Sequence, residues 1–397
     1  MAPLAEDQRQ DERDQVRDRG SRFHITGVLA GSVQFVRMVM ICRRVFSVAT
    51  IAFIGSLCAP PHVVAQADSI SRFLEAQQLD LAGAGRNLLI SDARTADFVL
   101  VGGLHGDQET QDMVHSLVTS LVSAGFHDVA VEMSPWAAAE RNRTEQSSDI
   151  RLNGSDIEEL RPDLLIRALA AINPGNAGLD SMLALTRDGY KRAAAPRLLL
   201  LSRALGHLVD SVAGGVSLYT QMLRTFEVES LRVDRGAGRL NASARRELVM
   251  KEFFLSHYRA ASAARPRPKF LVNFGQSHLG RGIEARGVST LGNFIAELAV
   301  AEGLRSFHIL LLAAGGKIDY GGGLQDINQR SDEPAFDLLA SLARFPASVF
   351  DLRPLRMPLH DSGSLSPRYA SLRSLADAYD VVVCYQAVTP LRSPRIY

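Results

Sequence analysis

The stretch Phe98–Glu109, FVLVGGLHGDQE, decides the reading of this 397-residue chain. Its apolar start, rich in Val, suits a strand covered on both faces. Gly102 and Gly103 then let the backbone turn without a Cβ penalty. Asp107 is placed to cap a helix, because its carboxylate can accept a free N–H of the first turn. In that helix Met113, Val114, Leu117, Val118, Leu121 and Val122 share one face, and Gly125 ends it. His105 therefore falls at the carboxyl end of a buried strand beside a helix N-terminus, where open α/β sheets gather their chemistry.

Downstream, Asp128–Glu132 (DVAVE) reads as a second strand that closes on a carboxylate. Strand, helix and strand together take about 35 residues, the size of a βαβ crossover. From Trp136 to Tyr258 the pattern is helical and Ala/Leu/Arg-rich, with no convincing strand, broken at Asn173-Pro174-Gly175 and Gly214-Gly215. Residues 136–260 thus read as a helical insertion, with Arg245–Tyr258 its last helix. Strands resume at Phe270–Phe274, Ser306–Ala314, Ala347–Leu352 and Asp380–Tyr385, and a helix is expected over Leu291–Glu302. The expected fold class is α/β: a mostly parallel central sheet flanked by helices, with the insertion after the second strand. An opening helix, Asp68–Gln78, packs on it, and residues 68–397 form one domain.

The residues before 68 carry a targeting pattern. Arg43-Arg44 precede an apolar core, Val45–Ala59, and Ala65-Gln66-Ala67 supplies a small-x-small site, so cleavage after Ala67 is expected. The core is too short for a spanning helix, and Leu57 before Cys58 argues against a lipidated cysteine. Residues 38–67 then form a signal peptide. Residues 1–37, with their mixed-charge run, read as an untranslated or disordered leader, the start being Met38 or Met40. The expected destination is periplasmic or secreted, with no stable membrane anchor. Of Cys42, Cys58 and Cys384, two lie in this segment, leaving no disulfide and no thiolate zinc site in the mature chain. The net charge of +1 gives no nucleic-acid footprint.

Two strand ends carry Gly-x-x-His: Gly102 to His105, and Gly275 to His278. A third ends on Glu132. In a parallel sheet all three project from one rim, and two imidazoles with a carboxylate suit hydrolysis. One His takes a proton from water near neutral pH, the carboxylate fixes its tautomer, and the second His donates to a developing oxyanion. His105, Glu132 and His278 are the candidate catalytic residues, supported by Gly102, Gly103, Asp107, Glu109 and Gly275. His115, His127, His308 and His360 read as structural or surface residues, and His257 as a residue bordering the cleft. Gly315–Gly323 reads as a flexible rim, Asp351–Arg353 as an ion pair, and Trp136 as a cleft wall or a core residue.

With these motifs in order, the chain resembles the erythromycin esterase-like proteins and their relatives, the ChaN-like haem-uptake proteins and the Tiki proteases. That group has a Gly-Glu-x-His-Gly-type strand end, a helix, a strand ending in Glu, and a later Gly-x-x-His. His105-Gly106, Glu109, Glu132 and Gly275/His278 match over roughly Phe98–Leu279. The resemblance implies hydrolysis of an ester in a small-molecule substrate, without cofactor, by water activated at His105. The Tiki branch implies instead a divalent metal on His105, Glu132 and His278, and the ChaN branch a haem. The chain departs from the pattern at the first-motif Glu, whose place falls on Gly102-Gly103, and lacks the Arg expected on the following helix. Asp107 and Glu109 are the nearby carboxylates that could substitute.

Overall fold

The computed structural model describes residues 61–145, 149–157, 161–234, 238–284, 287–319, 323–327, 333–362 and 365–392. The expected leader and most of the expected signal peptide lie outside them. Residues from Pro61 onward form one compact unit.

Among the described residues there are twelve strands: β1 Leu79–Asp80, β2 Phe98–Gly103, β3 Phe126–Val131, β4 Arg151–Gly154, β5 Val212–Ala213, β6 Val216–Ser217, β7 Lys269–Gly275, β8 Ser306–Ala313, β9 Lys317–Asp319, β10 Leu324–Asp326, β11 Ala347–Asp351 and β12 Val381–Tyr385. Eight of them form one sheet in the order β1-β11-β12-β8-β2-β7-β3-β4. The pairs from β12 to β4 are all parallel, and β11 runs antiparallel to both its neighbours. The fold is therefore α/β with a mostly parallel sheet.

The helices are α1 Pro61–Gln77, α2 Ala84–Thr95, α3 Gln108–Leu121, α4 Pro135–Glu145, α5 Pro162–Ile172, α6 Ala177–Leu185, α7 Ala195–Ala204, α8 Leu218–Val233, α9 Gly238–Ala264, α10 Gln276–Leu279, α11 Leu291–Ala301, α12 Pro334–Leu342, α13 Arg356–Asp361 and α14 Pro367–Ala378. They cover both faces of the sheet, which is why all six residues of β2 are buried. Alternation sends Val99 and Val101 to one face, with Met113, Val114 and Leu117 of α3. Phe98 and Leu100 go to the other face, with Met250 and Phe254 of α9 and Ile295 of α11. Farther along that sheet, Leu310, Val382 and Cys384 pack with Leu74, Leu339 and Leu372.

α3 starts as expected: Asp107 Oδ1 accepts from Thr110 N at 2.7 Å, and Gly125 takes φ 92° after the last turn. The insertion has its own core, built on Leu165, Leu169, Met182, Leu198, Met222 and Phe226, with half-buried Trp136 packed against it. It is not wholly helical. β4 pairs with β3 as the edge strand of the main sheet, and β5 and β6 make a hairpin. The sequence hid β4 because RLNG is short and carries only one apolar residue; pairing to β3 makes the strand. In the Gly315–Gly323 segment, a flexible loop by expectation, Lys317–Asp319 is strand β9, hydrogen-bonded to β10.

Candidate active site

Register explains why the polar strand ends meet. Gly103 of β2 lies opposite Gly275 of β7, and Val131 of β3 lies opposite Asn273. These three neighbours end at one level of the rim, so residues one to three positions beyond them face each other. His105 Nε2 lies 3.2 Å from Glu132 Oε2. The same Oε2 accepts the backbone N–H of Gly275 at 2.6 Å. His278, on α10 directly after β7, places Nε2 3.6 Å from Glu132 Oε1, an electrostatic contact beyond hydrogen-bond reach. The structure thus brings His105, Glu132 and His278 around a single carboxylate.

Gly275 makes this convergence possible. A Cβ there would stand 2.7 Å from His105 Nε2 and 3.3 Å from Glu132 Oε2. At Gly103 a Cβ would meet Thr110 Cγ2 at 2.7 Å; the first turn of α3 occupies the space a first-motif Glu would need. Neither nearby acid replaces it on His105. Asp107 is 1% exposed and spends Oδ1 on the helix cap. Glu109 accepts from Thr389 N at 2.7 Å and Thr389 Oγ1 at 2.9 Å, pinning the C-terminal segment. The turn at Gly106 is held by Asp319, whose N–H donates to Gly106 O at 2.9 Å; this ties the β9 loop to the site.

Three partners were not singled out from sequence. Arg246 of α9 donates to Glu132 Oε1 at 2.7 Å, and its guanidinium also pairs with fully buried Asp156. Glu247, the next residue, bonds His278 Nδ1 through Oε1 at 2.5 Å. Its Oε2 accepts from Leu291 N at 2.8 Å, at the start of α11. A signal for α9 did exist. Met250, Phe254, Tyr258 and Ala261 form its buried face, and Arg246 and Glu247 continue that helical period upstream, where charge at core positions demands partners. Asp156 offered none.

The charges follow from these contacts. For Glu132, burial opposes ionisation, but the bond with His105 and the charges of His278, His105 and Arg246 outweigh it and bring the pKa to about 2. For His105 the bond with Glu132 dominates over burial and raises the pKa above the usual imidazole value. His278 is buried, which disfavours its charge, yet the bond to Glu247 and the charges of Glu132 and Glu247 raise its pKa as well. His105 keeps a side chain 55% exposed, whereas His278 is 7% exposed. With Nε2 turned to Glu132, His105 presents Nδ1 as its basic nitrogen. A cleft of ≈ 750 Å³ opens beside His278, lined also by Arg246, Glu247 and Ser277 among others.

A divalent metal on His105, Glu132 and His278 does not fit this arrangement. Both Glu132 oxygens already carry donors, one of them the Arg246 guanidinium. Among the described residues no group of three or more His, Cys, Asp or Glu is disposed to hold a metal ion.

The remaining histidines sit apart. His257 is buried rather than at the cleft: Nε2 bonds Gly154 O at 2.7 Å, tying α9 to the end of β4, and burial lowers its pKa to about 4. His308 is fully buried in β8. His360, expected in a loop, is on α13 and pairs with Asp377 at 2.9 Å. Arg353 pairs with Asp351 at 2.6 Å.

Sheet order, helical layers and a histidine–carboxylate cluster at the carboxyl rim define a class: an α/β protein with a charged polar centre at its strand ends. More particularly, the fold is similar to that of erythromycin esterase. No protein-family model and no curated protein matches the chain. Solved structures do. A Bacillus cereus protein aligns at TM-score 0.54 with 15% identity, over 81% of this chain and 98% of its own. A succinoglycan biosynthesis protein aligns at 0.53 with 14% identity, over 81% and 97%. A mutant of erythromycin esterase EreC in its open conformation aligns at 0.51 with 13% identity, over 80% and 97%. At these identities the likeness is one of fold.

Proposed function

We propose that this chain is a hydrolase that cleaves an ester or related carbonyl bond with water activated at His105. One observation carries the reading: a single carboxylate, Glu132, holds a half-exposed imidazole at 3.2 Å and stands 3.6 Å from a second imidazole, His278, which lines a cleft. Neutral His105 takes a proton at Nδ1 as water oxygen bonds to the carbonyl carbon. Glu132 stabilises the imidazolium so formed. The negative charge passes to the carbonyl oxygen, towards which His278 and Arg246, both lining the cleft, are the nearby donors. Collapse of the tetrahedral adduct breaks the bond to the leaving alkoxide, which receives the proton from His105. No step uses a metal or an organic cofactor.

The likeness to erythromycin esterase supports this reading at the level of the fold. The test is His105→Ala against a panel of carboxylic esters. Loss of most of the wild-type rate is expected, and equal rates for the two proteins end the proposal. The same reading places the protein in the periplasm or outside the cell, on the strength of the Arg43–Ala67 pattern; the mature N-terminus should be Asp68, and recovery of a cytoplasmic protein with that segment intact would contradict it.

A further inference from the structure

A second hollow lies at the carboxyl ends of β8 and β12. These strands pair in parallel, with Leu312 beside Cys384 and Ala313 beside Tyr385. Residues of α12 and α14 complete a cavity of ≈ 540 Å³ there, lined by Leu312, Ala313, Phe336, Asp337, Arg368 and Cys384 among others. It shares no lining residue with the cleft at His278. Crevices outside strand carboxyl ends are where open α/β sheets bind ligands, and the size falls within the ~300–1,000 Å³ usual for small-ligand sites.

The lining has two characters. Leu312, Ala313 and Cys384 are each at most 2% exposed, and half-buried Phe336 packs against the same core. Burial pushes the Cys384 thiol up to about 12, so it stays protonated and offers an apolar contact. Asp337 and Arg368, by contrast, are exposed and of opposite sign. Among the described residues neither side chain has a hydrogen-bond or ion-pair partner, and the two are not paired with each other. Asp337 suits its place in the first turn of α12. Arg368 stands in the first turn of α14, where a cation works against the helix dipole. Helix stability therefore does not account for Arg368.

We infer that this cavity binds a small zwitterion with a hydrocarbon body, an amino acid by chemical class, with its carboxylate on Arg368, its ammonium on Asp337 and its apolar part against Phe336, Leu312 and Cys384. A guanidinium fork takes carboxylate oxygens in pairs, and an Asp carboxylate accepts charge-assisted bonds from an ammonium. A ligand carrying both charges satisfies both groups; one carrying a single charge leaves the other unmatched. The inference does not depend on the hydrolytic reading, because no residue of this cavity belongs to the His105–Glu132–His278 centre.

The experiment is calorimetric titration of the full chain with leucine, N-acetylleucine (no ammonium) and leucinamide (no carboxylate). Each analogue is expected to bind about tenfold more weakly than leucine, the scale of one charge-assisted contact. Asp337→Asn should remove the preference over N-acetylleucine and keep that over leucinamide; Arg368→Gln should do the reverse. Both side chains are exposed, so the core is left intact. The same comparison with 6-aminohexanoate against hexanoate and hexylamine sets the two charges at the ends of a chain. Tighter leucine assigns the site to charges on one carbon, and tighter 6-aminohexanoate to charges held apart. The preferences should shrink as salt is raised, and His105→Ala should leave every affinity unchanged. No binding of either zwitterion, equal binding of a zwitterion and its singly charged analogues, preferences that survive both substitutions, or binding lost in His105→Ala overturns the inference.

Discussion

Gly275→Ala separates the geometry of the site from the stability of the fold. Gly275 has φ −55° and ψ 145°, a conformation open to any L-residue, so alanine meets no backbone penalty. What the substitution removes is space. Its Cβ would stand 2.7 Å from His105 Nε2, when ordinary contact begins at 3.4 Å. The imidazole must retreat by about 0.7 Å, and a misplacement near 1 Å can cost ~10²-fold in rate. Glu132 Oε2, at 3.3 Å from the new carbon, needs to give far less and keeps its bond to the Gly275 amide. Stability should scarcely change. The lost His105–Glu132 contact involves a side chain 55% exposed, worth ~0–1 kcal/mol after solvent screening. Reduced freedom of the unfolded chain returns ~0.4–1 kcal/mol. The expected result is a kcat/KM lower by about 10²-fold with a Tm within roughly 3 °C of wild type. Ester hydrolysis and thermal unfolding, measured on the same preparation, check both halves. A variant that folds normally and keeps kcat/KM within about twofold would refute the claim that His105 acts from the position Gly275 leaves open.

The pH–rate profile follows from the protonation states. His105 must be neutral to act as a base and its pKa is raised, so kcat/KM should climb with pH through a midpoint above 6.5. Glu132→Gln removes the contact that raises it; the midpoint should move to lower pH while the maximal rate falls, and an unmoved midpoint assigns the profile to another group. Glu247→Gln removes the carboxylate charge that raises the pKa of buried His278; kcat should drop by about 10²–10³-fold, the scale of an oxyanion donor, with KM little changed, whereas a rise in KM alone would make Glu247 a binding residue. Treatment with a chelator should leave hydrolysis unaltered, since Arg246 already neutralises Glu132; loss of activity that a divalent ion restores would show the metal assignment to be right after all.

How much of this was legible depended on whether the signal was local. FVLVGGLHGDQE encodes its own strand, turn and helix cap within twelve residues, and the structure follows it closely. Glu132 and His278 were legible because each directly follows a buried strand, where position along the chain fixes position on the rim. β4 was not, because its strand character comes from pairing with β3 and not from its residues. Arg246 and Glu247 were missed because a helix read for apolar period reveals which face is buried, not which strand ends it approaches. Their partners lie 114 and 31 residues away in sequence.

Those two residues also bring charge to a site whose strand end lacks the first-motif carboxylate. At Gly103 the first turn of α3 leaves no room for a side chain, so no acid can reach His105 from β2. Glu132 must serve His105 alone on that side, and it does so under pressure from Arg246, which lowers its pKa and draws charge away from the imidazole. Glu247 restores the balance by adding a buried carboxylate to the other histidine. Among the described groups in direct contact, Glu132, Glu247 and Asp156 then face Arg246 and two imidazoles. Burial raises the pKa of Asp156, which Arg246 opposes, and buried charge is tolerated only when it is matched. The His105 pKa is raised by the bond with Glu132, and that of His278 by Glu247 and Glu132. A base whose pKa is raised in this way is stabilised once it takes a proton from water. Through α9 the insertion thus supplies Arg246 and Glu247 to the site at the two strand-end histidines.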